Sequence, residues 1–136
     1  ALEKVLSSAR AHTHGKVWCV FGCGGDRDKG KRPLMAAAVE RLADQIVVTS
    51  DNPRTENSDR IIQDITAGFS RIDAVTFISE RVSAIEYAVM NANAGDVILI
   101  AGKGHENYQI IGTEKLPFSD VACARLAVRK RQERAQ

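Results

Sequence analysis

A chain of 136 residues is long enough for one domain with a substantial core, and its apolar and charged fractions, 44% and 26%, are ordinary for a globular protein. A net charge of +2 is too small to argue for a nucleic-acid or membrane partner, and no apolar run nears the roughly 20 residues that span a bilayer. Three cysteines without a Cys-x-x-Cys pair, and the lack of any stretch resembling a signal peptide, point to reduced, mostly buried thiols in a cytoplasmic protein.

Apolar residues at positions 2, 5, 6 and 9 give Leu2–Arg10 helical spacing. His12 and His14 form His-x-His with no third ligand nearby, which reads as a loop before a strand rather than a metal site. Val17–Phe21 is a continuous apolar run, suited to a strand buried on both faces, and Gly22-Cys23-Gly24-Gly25 breaks it. Pro33 suits a first helical turn, and the helix reaches about Ala43. Ile46–Thr49 is the second strand. Asn57 or Ser58 caps a helix to about Phe69, with Ile61, Ile62, Ile65 and Phe69 on one face. Ala74–Ile78 is the third strand. Ser83–Met90 is the next helix, closed by Asn93 and Gly95, and Val97–Ala101 is the fourth strand.

The rhythm then changes. Tyr108–Ile111 and Lys115–Phe118 flank Gly112-Thr113-Glu114 as a hairpin. Ser119 or Asp120 caps a terminal helix, and its basic end, Arg129-Lys130-Arg131 with Arg134, complements the helix dipole. Alternating strands and helices predict an α/β fold: parallel strands joined by right-handed crossovers, with the hairpin as an antiparallel edge.

In an open parallel sheet, ligands bind beyond the carboxyl ends of the strands. Three such ends are rich in glycine and charge: Gly22–Pro33, Ser50–Arg54 and Gly102–Glu106. Gly25–Lys31 meets Gly-x-x-x-x-Gly-Lys, but Arg32 then stands where a P-loop carries its magnesium-binding Ser or Thr, so a P-loop is rejected. The dinucleotide pattern Gly-x-Gly-x-x-Gly fails too, because Arg27 occupies the last glycine. What remains is Arg27, Lys29, Lys31 and Arg32 near a helix N-terminus, either an anion site or a solvated charged loop.

Asp51-Asn52-Pro53-Arg54 is composed of turn formers and is open to two readings, a simple turn or a grip. In the second, Arg54 forks onto a carboxylate, Asn52 donates beside it and Pro53 fixes the backbone. In Gly102-Lys103-Gly104-His105-Glu106 the glycines allow close approach to the backbone, and Glu106 suits an ammonium. His105 is either a general base or, as a lone histidine more often is, structural. Arginines for carboxylates and a glutamate for an amine suit an amino acid better than a nucleotide.

The runs Phe21–Pro33, Asp51–Arg54 and Ala101–Glu106, in this order and at this spacing, closely resemble the C-terminal domain of the Mur ligases of peptidoglycan synthesis, in particular the diaminopimelate-adding members. The resemblance covers nearly the whole chain. It implies a Rossmann-like domain, residues 1–136, belonging to a longer three-domain ligase. It also implies that Arg27, Asp51, Asn52, Pro53, Arg54, Gly102 and Glu106 bind meso-diaminopimelate. Arg54 and Asn52 would read the far carboxylate, which lysine lacks, and Glu106 with the Gly102 carbonyl would take the adjacent ammonium. Asp26 and Lys29 resemble positions through which such a domain reaches ATP.

No catalytic or metal-ligating residue of this chain is implied. ATP and Mg2+ would sit mainly in a central domain and UDP-MurNAc-L-Ala-D-Glu in an N-terminal one, neither contained in these residues. The implied cytoplasmic reaction activates the D-glutamate γ-carboxylate as an acyl phosphate, which the diaminopimelate amine attacks. This domain orients the amine and is expected to be inactive alone. A family strand expected before residue 1 is also missing from the chain, which would leave a sheet edge unpaired. The rival readings are a lysine-adding Mur ligase, a folylpolyglutamate synthase, and a non-enzymatic doubly wound module that holds a nucleotide through Lys29 and Lys31.

Overall fold

The computed structural model describes residues 2–24, 30–53, 55–102, 108–111, 114–117 and 120–134. Helix α1 spans Leu2–Ala11 and strand β1 Val17–Phe21, followed by α2 (Lys31–Leu42) and β2 (Gln45–Val48). Then come α3 (Ser58–Thr66), a 3-10 turn at Ile72–Ala74, β3 (Val75–Phe77), α4 (Arg81–Asn91) and β4 (Val97–Ile100). Strands β5 (Tyr108–Ile111) and β6 (Glu114–Pro117) and helix α5 (Asp120–Arg134) complete the described elements.

Strands β1 to β4 form one parallel sheet in the order β3-β2-β1-β4. Cys19 lies opposite Ile46 on one side and Leu99 on the other. All five residues of β1 are buried, which is why its sequence is uninterruptedly apolar. Alternate residues feed two different cores, as the period of two in a strand requires. Val17, Cys19 and Phe21 join Ile46 and Val48 against Leu6 of α1, Ala36 and Val39 of α2, and Ile61 and Ile65 of α3. Trp18, Val20 and Val47 face the other way, against Ala84, Ile85, Ala88 and Val89 of α4 and Ala127 of α5. The layers follow from crossover handedness. The chain steps from β1 to β2 to β3 in one direction, then doubles back to β4, so a crossover of the same hand must place α4 on the opposite face.

Local signals account for most boundaries. Asn57 caps α3, its side-chain oxygen accepting from the backbone N–H of Asp59 and of Arg60. Pro33 lies in the first turn of α2, where a missing N–H costs nothing. Gly95, at φ +90°, supplies the turn before β4, four residues beyond the end of α4. At the amino ends of the strands, Asp96 accepts from the backbone of Lys16 and Asn93 and from the Trp18 indole; these bonds hold its carboxyl below the usual range.

Three expectations need correction. Among the described residues the hairpin forms a sheet of its own, Tyr108 opposite Pro117 and Ile111 opposite Glu114, instead of extending the parallel sheet. Its local ladder pairs the two strands with each other. Val5, at a position expected on the apolar face of α1, is 47% exposed. Asp120, one of the two expected caps of α5, is instead its first residue, with its carboxylate held by Arg81; the other, Ser119, lies outside the described residues.

Helices α2 and α3 approach closely because Gly68 has no side chain. A Cβ there would lie 2.1 Å from the Pro33 carbonyl oxygen and 2.6 Å from its Cα. Gly68→Ala is expected to cost about 1–3 kcal/mol through forced backbone movement, seen as a lower urea midpoint at unchanged slope. No helix among the described residues is long and apolar enough to cross a membrane.

Candidate ligand site at the strand carboxyl ends

The strand order reverses between β1 and β4, which makes the crevice beyond their carboxyl ends the topological switch point. Three chain segments meet there: the loop after β1, the loop after β2, and the residues after β4. Gly22 is packed so tightly that a Cβ would lie 2.3 Å from the Thr49 carbonyl oxygen and 3.1 Å from the Asp51 nitrogen. Only glycine lets the first two loops touch in this way. Gly102 adopts φ +122°, and a Cβ on it would come 3.1 Å from Asp51 Oδ2. Gly22, Cys23, Gly24, Lys31, Asp51 and Gly102 therefore line one cleft of about 770 Å3.

The sequence-based candidates divide into two groups. Asp51, Asn52, Pro53 and Gly102 are described, and the fold brings Asp51 and Gly102 together on the cleft wall. Asn52 is 4% exposed and Pro53 is buried, so these two form the inner footing of their loop. Asp26, Arg27, Lys29, Arg54, His105 and Glu106 lie outside the described residues.

Arg32 requires a correction. The sequence groups it with the cations of an anion-binding or solvated loop, but it is 1% exposed and already committed. Nη1 donates to Glu56 Oε2 at 2.6 Å and to Asp64 Oδ2 at 2.9 Å, while Nη2 donates to Glu56 Oε1 at 2.9 Å and to the Gly24 carbonyl at 3.0 Å. The bonds to Glu56, with those to Asp64, raise its pKa against the opposing effect of burial. Arg32 thus ties the loop after β1 to the segment following Arg54 in sequence. Lys31 remains exposed at the cleft.

A second buried arginine, Arg81, was missed. It belongs to the first turn of α4 and is also 1% exposed. Both arginines put a cation in a helical first turn that contains no acidic residue. The helix dipole disfavours a cation there, so each position calls for a carboxylate from elsewhere in the fold. That was the available signal.

Cys23 faces the cleft, half-buried, with its thiol 3.5 Å from the Met35 sulfur. Burial pushes it up to about 11, with Asp51 adding to the rise and Arg32 opposing it. Burial also pushes Cys19 up to about 12 and raises Cys123. In all three, burial disfavours the thiolate, the reactive form. Iodoacetamide is expected to label the folded chain slowly and the urea-unfolded chain rapidly, as followed by intact mass. Among the described residues no three His, Cys, Asp or Glu side chains group as metal ligands.

A parallel sheet covered by helices on both faces, with a cleft of mixed polar and apolar lining at its switch point, defines a Rossmann-like domain. Residues 1–104 match the family model "Mur ligase, glutamate ligase domain", and the chain belongs to that family. It is 58% identical over 120 residues to the UDP-N-acetylmuramoyl-L-alanyl-D-glutamate–2,6-diaminopimelate ligase of Haemophilus influenzae, a match covering 88% of this chain and 25% of that protein. The protein of the same name from Pseudomonas putida is 57% identical over 128 residues, covering 94% of this chain and 26% of the relative. A solved structure of a ligase of that name superposes with a TM-score of 0.92 at 43% identity, over 96% of this chain and 27% of that one. The chain spans about a quarter of the length of the curated relatives it matches.

Proposed function

We propose that this chain is the amino-acid-binding domain of a longer, three-domain, ATP-dependent cytoplasmic ligase that joins meso-diaminopimelate to UDP-MurNAc-L-Ala-D-Glu. The observation that carries the reading is the meeting of Asp51 with Gly102 at the switch point, in a chain with close relatives of that name. The loop after β2 carries Arg54, and the segment after β4 carries Glu106. The domain's task is to bind diaminopimelate and hold its attacking amine in a fixed direction, so that an activated carboxyl can be brought to it. In this assignment Arg27, Asp51, Asn52, Arg54, Gly102 and Glu106 hold the amino acid, with Pro53 shaping the loop.

The residues of this chain do not fit the Mg2+–triphosphate unit. The position that would need a hydroxyl is Arg32, and it is buried in an ion pair with Glu56 and Asp64. ATP and Mg2+ therefore belong mainly to the central domain, and Asp26 and Lys29 would touch the nucleotide only from the side. Calorimetry tests the assignment. Diaminopimelate should bind the complete ligase and lysine should bind far more weakly. Equal affinity for the two would overturn the assignment of a second-carboxylate site. Binding of ATP with no response to either amino acid would favour a nucleotide-binding module.

A further inference from the structure

We infer that Arg81 is a positioning residue that sets the span of the amino-acid site; the inference rests on the function proposed above. Its guanidinium is used on every side. Nε donates to Asp120 Oδ1 at 2.7 Å and Nη2 to Asp120 Oδ2 at 2.7 Å, a bidentate pair with the first residue of α5. Nη1 donates to the Ser50 carbonyl at 2.8 Å, and Nη2 also donates to the Ala101 carbonyl at 3.0 Å.

Ser50 and Ala101 are the residues immediately before Asp51 and Gly102. They continue β2 and β4, which are not neighbours: both pair with β1, which lies between them. Two strands on either side of a third are roughly 9–10 Å apart, and no ladder hydrogen bond joins them directly. Beyond the strand ends the ladder stops, and Arg81 bridges the two ends above β1. It lies directly behind the cleft wall, since a Cβ on Gly102 would be 3.6 Å from Arg81 Nη2 and 3.1 Å from Asp51 Oδ2.

An amino acid gripped by its far carboxylate at the β2 loop and by its ammonium at the β4 loop is measured across this bridge. The spacing of Ser50 and Ala101, where the two loops begin, is thus held by one buried side chain. Lysine cannot replace it. A single ammonium lacks the planar fork that reaches one carboxylate and two carbonyls at once.

The test is steady-state kinetics of the complete ligase with Arg81→Lys and Asp120→Asn. Arg81→Lys should raise KM for diaminopimelate about tenfold while KM for ATP stays within about twofold, because loosened geometry costs binding only where the geometry is used. Asp120→Asn keeps the shape and one acceptor oxygen, so its KM for diaminopimelate should rise in the same direction by less. A loss of kcat with both KM values unchanged would mark a purely structural role and overturn the inference. If Arg81→Lys fails to fold, Asp120→Asn decides by the same criterion. A wild-type ligase that does not use diaminopimelate overturns the proposed function and this inference together; one that does, with unchanged KM in both variants, overturns the inference alone.

Discussion

Replacing Arg32 by Met should lower the stability of the domain by about 3–5 kcal/mol, the range for breaking a buried ion pair from one side. The long apolar side chain fills much of the same volume, so the loss is electrostatic. Glu56, whose side chain is 10% exposed, loses two charge-assisted bonds, and the Gly24 carbonyl loses its donor. Asp64, 36% exposed, is less affected because water replaces its partner. The double variant Arg32→Met/Glu56→Leu should recover much of the loss, since removing both partners of a buried pair is often close to neutral. Urea denaturation of the wild type, both single variants and the double variant supplies the coupling energy. An Arg32→Met midpoint equal to wild type would mean that the buried pair contributes nothing.

Arg54→Ala carries the largest expected effect on activity. A charge-assisted pair worth about 1.5–3 kcal/mol corresponds to a loss of about 10–150-fold in kcat/KM for diaminopimelate. The selectivity against lysine should fall along with it, because in the proposed assignment Arg54 is the residue that penalises a missing carboxylate. Arg54→Lys should restore only part of the rate, as a point charge does not reproduce a bidentate fork. Competition between diaminopimelate and lysine in one reaction reads the selectivity directly. Unchanged kinetics with diaminopimelate would remove Arg54 from the site.

The parallel sheet was legible in the sequence because its strands are short apolar runs, β1 buried throughout, separated by turn residues and helical periods. Val17–Phe21 and the Ile61/Ile65 face of α3 needed no tertiary information. The order β3-β2-β1-β4 was not legible, since nothing in Val97–Ile100 says which edge it joins. The same limit hid the pairing of Arg81 with Asp120 and of Arg32 with Glu56, which are distant in sequence and meet only once the layers are stacked. Arg32 also misled by company. Beside Arg27, Lys29 and Lys31 it looked like one more loop cation, and only burial distinguishes a cation that holds the protein together from one that could hold a ligand. The separate hairpin shows that local turn chemistry predicts a strand pair but not what the pair docks against.

The reversal of strand order also bears on the sequence of folding events. Strands β1, β2 and β3 join through pairings such as Cys19 with Ile46 and Ile46 with Val75, each closing a loop of one crossover unit. The pairing of Val17 with Val97 closes a far longer stretch, with a correspondingly larger loss of chain entropy. A nascent chain ending before Val97 can assemble three strands and half of the core, but it lacks β4 and the Gly102 wall of the cleft. The proposed ligand cleft is therefore completed only by the last strand of the parallel sheet, and Asp120, which holds the Arg81 bridge, emerges later still.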